Sequence, residues 1–314
     1  MPTDLPTVSV VIPVYNGEAD LPDLLNCLKA QTYPPSQVEY LLVDNQSGDR
    51  TAAILQAAAE DQQLNMTIRP LAENQIQSSY AARNTGIRAS RGEILAFTDV
   101  DCRPQPQWLA TLVAPFATPE VAIAVGEILP LPGSTLWEQH AALENTLSQK
   151  HTLAHPFCPY GQTANLAIRR LALIQVGLFR PYLTSGGDAD LCWRILRETD
   201  YQWYFVEAAV VQHRHRSTWR QLQNQWYRYG ESNQYLHELH GVELMRELTT
   251  QEYAYRWLRW LLKELPIASL KAITRSITLA ELLRTPIGLS NAAARSRGQR
   301  QAKLPEIARQ IEGF

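Results

Sequence analysis

Glu93-Ile94-Leu95-Ala96-Phe97-Thr98-Asp99-Val100-Asp101 sets the architecture, because an apolar run of strand length stops at two carboxylates one residue apart. Carboxylates at the carboxyl end of a strand stand where open α/β sheets bind ligands. Their oxygens suit hard divalent cations that also hold phosphate. An isolated Asp-x-Asp is most often a solvated turn, so the segment takes its meaning from what surrounds it.

Working outward, Val8 to Tyr15 is a β-branched run followed by Leu21, Leu24, Leu25 and Leu28 at helical spacing, a strand feeding a helix. Val38 to Val43 repeats the strand pattern, and Asp49 is placed to cap a helix that buries Ile54, Leu55 and Ala58. A third strand is expected at Met66 to Leu71 and a helix at Ser78 to Ala89, after which the fourth strand delivers Asp99. Such alternation predicts a Rossmann-like α/β domain with a mostly parallel sheet flanked by helices. Strand signals return at Ala122 to Leu131 and Trp203 to Val211, with helices at Ser134 to Leu153 and Asp188 to Arg197. The α/β domain is placed at residues 1–215 and a helical C-terminal extension at 216–314. Helices in the extension are expected at Ser217 to Leu239, Tyr253 to Leu265 and Ala268 to Leu283, separated by Gly241 and Pro266.

A formal net charge of -2 gives no global attraction to nucleic acid, so nucleic acid is not expected as a partner. The four cysteines are far apart without a Cys-x-x-Cys pair and read as reduced thiols. Met1 to Pro6 lacks the basic and apolar regions of a secretory leader, and no apolar stretch approaches the ~20 residues of a membrane span. The expected location is the cytoplasm, with the inner face of a membrane left open. Tyr253, Trp257, Trp260, Leu261 and Glu264 trace one helical face, with Arg256, Arg259 and Lys263 nearer the other. Such a helix either packs on its own domain or a second subunit, making a homo-oligomer, or lies on a membrane surface as a peripheral anchor. The basic stretch Ser290 to Gln301 is read as mobile or lipid-facing.

Several further segments carry candidate chemistry. Asp44 ends the second strand, where an acidic residue forms strand poorly and so suggests a ligand. Arg83 in Ala82-Arg83-Asn84 is placed either on a diphosphate or on a plain surface. Asn165, in Gly161 to Arg170, offers a polar group to a sugar or simply belongs to a turn. Gly187-Asp188 opens a helix, and Asp188 either caps it or accepts the proton of an attacking hydroxyl. Asp190 lies about 200° around that helix and suits an arginine partner. His213 and His215 end a strand on the same side, so that one can ligate a metal while the other orients phosphate or packs. Trp137, Tyr160, Tyr182 and Trp193 either stack on a saccharide or fill the core.

Taken in order, Val8 to Asn16, Val43 to Thr51, Ala82 to Asn84, Thr98 to Asp101, Asp188 to Arg194 and His213 to Ser217 resemble the family 2 glycosyltransferases of GT-A fold. The resemblance covers roughly residues 7–230. It implies inverting transfer of a sugar from a nucleoside-diphosphate sugar, UDP-linked by preference, to a saccharide or lipid-linked acceptor hydroxyl, with Mn2+ or Mg2+. It further implies Pro13, Tyr15, Asp44, Arg83 and Asp99 at the nucleotide-sugar, Asp101 with Asp99 and His213 or His215 at the metal, and Asp188 as general base. Where the family commonly has Glu-Asp, this chain has Gly187-Asp188, so acceptor positioning departs from the pattern. Gln225 to Tyr229 resembles the Gln-x-x-Arg-Trp element of processive members with Tyr for Trp, which places Gln225 and Arg228, like Asn165 and Gly187, near the acceptor. Without membrane spans the expectation is a single addition. The alternatives are a non-catalytic nucleotide-sugar sensor and a sugar nucleotidyltransferase.

Overall fold

The computed structural model describes residues 5–273 and 277–314. Residues 1–4, where the absence of a leader was read, and 274–276, inside the helix expected from Ala268 to Leu283, lie outside the described residues. In chain order the elements are β1 (Val8–Val14), α1 (Leu21–Lys29), β2 (Val38–Asp44), α2 (Thr51–Glu60), β3 (Thr67–Ala72), α3 (Ser79–Ala89), β4 (Ile94–Phe97), β5 (Cys102–Pro104) and α4 (Trp108–Val113). Then come β6 (Val121–Pro130), α5 (Leu136–Leu143), α6 (Gln149–Leu153), β7 (Leu166–Arg169), α7 (Arg170–Val176), α8 (Gly187–Glu198) and β8 (Gln202–His213). The last are α9 (Trp219–His240), α10 (Thr250–Arg259), a π-helical turn (Trp260–Glu264), α11 (Leu265–Ile273), α12 (Leu279–Leu282) and α13 (Arg284–Gln301).

These elements form two compact units: Met1–Leu129 with Leu147–His213 and Pro305–Phe314, and Pro130–Thr146 with Arg214–Leu304. A single break near residue 215 therefore misses that 130–146 joins the second unit and 305–314 the first. The first unit holds an eight-stranded sheet in the order β3-β2-β1-β4-β7-β6-β8-β5. β3, β2, β1 and β4 are mutually parallel, joined by helical crossovers that parallel pairing requires. β7 pairs antiparallel with β4 and with β6, and β5 pairs antiparallel with β8. Every residue of β1 is buried, as expected of a strand covered on both faces. The register sets Val14 beside Asp44 and Val11 beside Phe97, so the carboxyl ends of β2, β1 and β4 share one edge of the sheet.

The helix expected from Ser134 to Leu153 is broken into α5 and α6, with Asn145 at φ 48 between them, a left-handed residue that α-helix does not continue through. In the second unit, α9 starts on a capping box in which Thr218 and Gln221 exchange side-chain bonds. α13 packs along α9 with glycine at the closest approaches. A Cβ on Gly230 would come within 2.0 Å of the Arg295 carbonyl oxygen, and one on Gly298 within 2.0 Å of that of Tyr227. Ser290 to Gln301 is thus part of a packed helix, contrary to the expectation of a mobile segment, because the two glycines let the backbones touch. Pro266 does not separate two helices either. It stands inside a continuous helical run, directly after the π-helical turn in which the Leu265 N–H bonds back to the Trp260 carbonyl.

Candidate active site

The site begins at the sheet edge shared by β2, β1 and β4. Asp44 closes β2 and accepts the Ser47 N–H at 3.1 Å, while buried Asn45 binds the Glu73 and Ile76 carbonyls and holds the following loop. Pro13 is buried in β1, and Tyr15, just past its end, is exposed. After β4, Thr98 is buried and donates to the Ala164 carbonyl at 3.0 Å, which leaves Asp99 and Asp101 to emerge beyond it.

Arg83 reaches this edge from α3, whose N-terminus is capped by the Ser78 hydroxyl. It is buried, and its Nη2 meets Asp99 Oδ1 at 2.5 Å. Burial opposes the guanidinium charge, yet the carboxylates of Asp99 and Asp188 outweigh that cost and hold it above its ordinary value. Its Nε finds no hydrogen-bond acceptor among the described residues, an expensive state for a buried donor unless a ligand supplies one.

Asp188 sits in the first turn of α8. Its carboxylate accepts the Thr163 hydroxyl at 3.1 Å and the Thr163 N–H at 3.2 Å. It keeps a partial opening to solvent, but the protein crowded around it pushes its carboxyl above the usual range, with the Asp99 charge adding to the shift and Arg83 opposing it. Asp99, Arg83 and Asp188 are therefore electrostatic neighbours although they come from three separate segments. Asp190, on the same helix, is fully buried between Arg180 Nε at 3.0 Å and Arg194 Nε at 3.1 Å.

Gly187 explains the departure from Glu-Asp. A Cβ there would lie 2.7 Å from Tyr80 Cζ, and the Gly187 N–H donates to the Tyr80 hydroxyl at 3.0 Å. Tyr80 itself stacks on Phe179, with centroids 5.5 Å apart, and carries the Arg83 guanidinium 5.6 Å from its ring centroid. The ring occupies the space that a side chain at 187 would need.

His213, at the end of β8, brings Nε2 to 3.3 Å from Asp101 Oδ1, and Cys102 completes a group whose ligand atoms lie within 4.8 Å of one another. A carboxylate beside an imidazole fits a divalent ion such as manganese. Burial raises the Cys102 thiol well above its ordinary value. His215 is buried and falls in the second unit, and the histidine of the Asp101 group is His213.

Asn165 is fully buried. Its amide donates to the carbonyls of Glu127 and Ala209, both at 2.8 Å, and its oxygen accepts the Trp108 indole N–H at 2.8 Å. With those bonds made inside the core, Asn165 is a packing residue and not a sugar contact, which corrects its sequence placement. Gln225 and Arg228 lie on α9 in the second unit, with Gln225 donating to the Tyr229 hydroxyl at 3.0 Å. Sequence reasoning missed Thr163 and Tyr80. Thr163 had a weak signal in Gly161 to Asn165, whereas nothing local distinguishes Tyr80 from any apolar helix residue.

Two family models match: glycosyl transferase family 2 over residues 9–176 and glycosyl transferase family group 2 over 94–294. The chain belongs to glycosyltransferase family 2. The glycosyltransferase AglE of Haloferax volcanii is 40% identical over 192 residues, covering 60% of this chain and 60% of AglE. The pre-mycofactocin glycosyltransferase of Mycobacterium tuberculosis is 29% identical over 218 residues, covering 68% and 44%. An undecaprenyl-phosphate 4-deoxy-4-formamido-L-arabinose transferase of Pseudomonas aeruginosa is 40% identical over 113 residues, covering 36% and 32%. The chain thus spans less than two thirds of the length of these relatives. Among solved structures, the mannosyltransferase PcManGT of Pyrobaculum calidifontis, in complex with GDP-Man and Mn2+, superposes with TM-score 0.64 at 20% identity over 96% of this chain and 88% of that one. That likeness establishes the GT-A fold.

Proposed function

We infer that the chain catalyses one inverting transfer from a nucleoside-diphosphate sugar to an acceptor hydroxyl. The observation that carries this reading is the convergence of Arg83, Asp99 and Asp188, with Asp101 and His213 paired at the same strand end. Arg83, with a buried donor that meets no acceptor among the described residues, suits the diphosphate. Asp44 suits the nucleoside, one strand beyond β1. Asp101 and His213 would hold a divalent ion, with Asp99 beside them, and the imidazole favours manganese over magnesium, which prefers oxygen ligands alone. Such an ion supplies charge neutralisation for the departing diphosphate.

In the transfer, the acceptor oxygen forms its bond to the anomeric carbon as the bond from that carbon to the phosphate oxygen breaks. The bonding pair leaves with the nucleoside diphosphate, and the hydroxyl proton passes to Asp188. Crowding makes the Asp188 carboxylate a better proton acceptor than an ordinary aspartate, and Thr163 aims it. A lipid-linked acceptor is the favoured class, supported by the relative named for undecaprenyl-phosphate.

The test is a thermal-shift series with UDP and GDP, each with Mn2+, Mg2+ or chelator, followed by hydrolysis of the stabilising nucleotide's sugar conjugates. One nucleoside diphosphate with Mn2+ should raise the melting temperature, an effect Asp101→Ala abolishes. Binding without release of nucleoside diphosphate in the presence of any acceptor would favour a sensor, and release of pyrophosphate a nucleotidyltransferase.

A further inference from the structure

A surface helix ordinarily turns its apolar face inward. The run from α10 through the π-helical turn does the reverse. Its inward side is made by Tyr253, Trp260 and Glu264: the Trp260 indole donates to the Leu282 carbonyl at 3.0 Å, and Glu264 accepts the Thr285 hydroxyl at 2.6 Å. Tyr255, Trp257, Leu258, Leu261 and Leu262 point away, with Leu262 74% exposed and Tyr255 65%. At about 100° per residue these five fill an arc of about 160°. Trp257 stands at the border of the outward arc and keeps edge contact with Trp260, their ring centroids 5.6 Å apart.

Arg259, Lys263 and Arg256 follow that arc along one border, and all three are exposed. The acids of the same run are half-buried, Glu252 answered by Arg246 and Glu264 by Arg259. The fully exposed charged side chains of the run are thus all cationic, Arg259 being shared with Glu264. Contiguous leucines with aromatics at the edge and a cationic border match the chemistry of an anionic bilayer surface, in which leucine enters the acyl boundary and the cations meet headgroups. No helix among the described residues is long and apolar enough to cross a membrane. We propose that this face, from Tyr255 to Lys263, docks the enzyme in the plane of an anionic lipid surface.

The experiment is flotation of the full chain with vesicles of phosphatidylcholine alone or with phosphatidylglycerol added. The chain should float with the anionic vesicles, less so as salt rises. Leu261→Glu/Leu262→Glu, at exposed positions that leave the melting temperature unchanged, should reduce partition at least about tenfold per leucine. Arg256→Gln/Arg259→Gln/Lys263→Gln should reduce it on the order of a hundredfold and abolish the preference for phosphatidylglycerol. No flotation of the unaltered chain, or equal flotation of the leucine variant, overturns the proposal. So does a dimer in lipid-free buffer that the leucine variant dissociates, because that result assigns the face to a second copy.

Discussion

Asp188 and Asp190 stand two positions apart on α8, yet they occupy regions of opposite electrostatic character. Asp190 faces the interior, where the guanidinium groups of Arg180 and Arg194 grip both of its oxygens. Asp188 faces the site, held by the neutral donors of Thr163, with the Asp99 charge near it and crowded protein raising its carboxyl. The same side chain is inert where two cations bond it directly and more basic where neutral donors bond it and Arg83 offsets only part of the burial. The helical period makes this division possible, since two residues of advance turn a side chain about 200°.

The largest effect that breaks the comparison is on rate. Asp188→Asn should lower transfer about 10² to 10⁴-fold while leaving nucleotide binding nearly intact, as read by single-turnover kinetics beside a binding titration. Asp190→Ala should do the opposite, destabilising the fold by about 3–5 kcal/mol, because two buried guanidinium groups lose their counter-charge. Chemical denaturation would show that loss, and an unchanged midpoint would remove the structural role given to Asp190. Next in size is a backbone test: Gly187→Ala should cost about 1–3 kcal/mol, since the methyl meets a Tyr80 ring wedged against Phe179, and adding Tyr80→Ala should relieve that clash.

The smallest effect sharpens the contrast through pH. Because the folded Asp188 titrates above its ordinary value of 3.8, its protonated form is favoured by folding. That stabilisation is complete below the ordinary value and disappears as pH rises through the folded one. Asp188→Asn keeps the neutral shape at every pH, so its stability should match the unaltered chain in acid and exceed it increasingly as pH rises. Paired denaturation curves across pH would measure the gap. The rate should rise over the same interval, above the usual carboxylate range, as the base loses its proton.

The parallel strands and their carboxylate ends were legible because β-branched runs and acidic stops are local features. Expected boundaries fall within a residue or two of β1, β2, β3 and β4. Pairings made across long stretches of chain were less legible. His213 could not be separated from His215 by strand alternation, since both point the same way; the antiparallel register of β5 on β8, which sets His213 opposite Cys102, is what brings it to Asp101. Asn165 looked like a ligand residue because small polar groups are common in both turns and sites, and only its filled hydrogen bonds reveal a core role.

By itself the amino-acid sequence determined the alternating strands and helices, the acidic strand ends and the family, since period, turn residues and ordered motifs are all properties of neighbours in the chain. The tertiary structure alone decided that Tyr80 fills the space beside Gly187, that Thr163 holds Asp188, and that an apolar helical face turns outward. Those outcomes depend on which distant side chains compete for the same volume, and volume is shared only once the chain has folded.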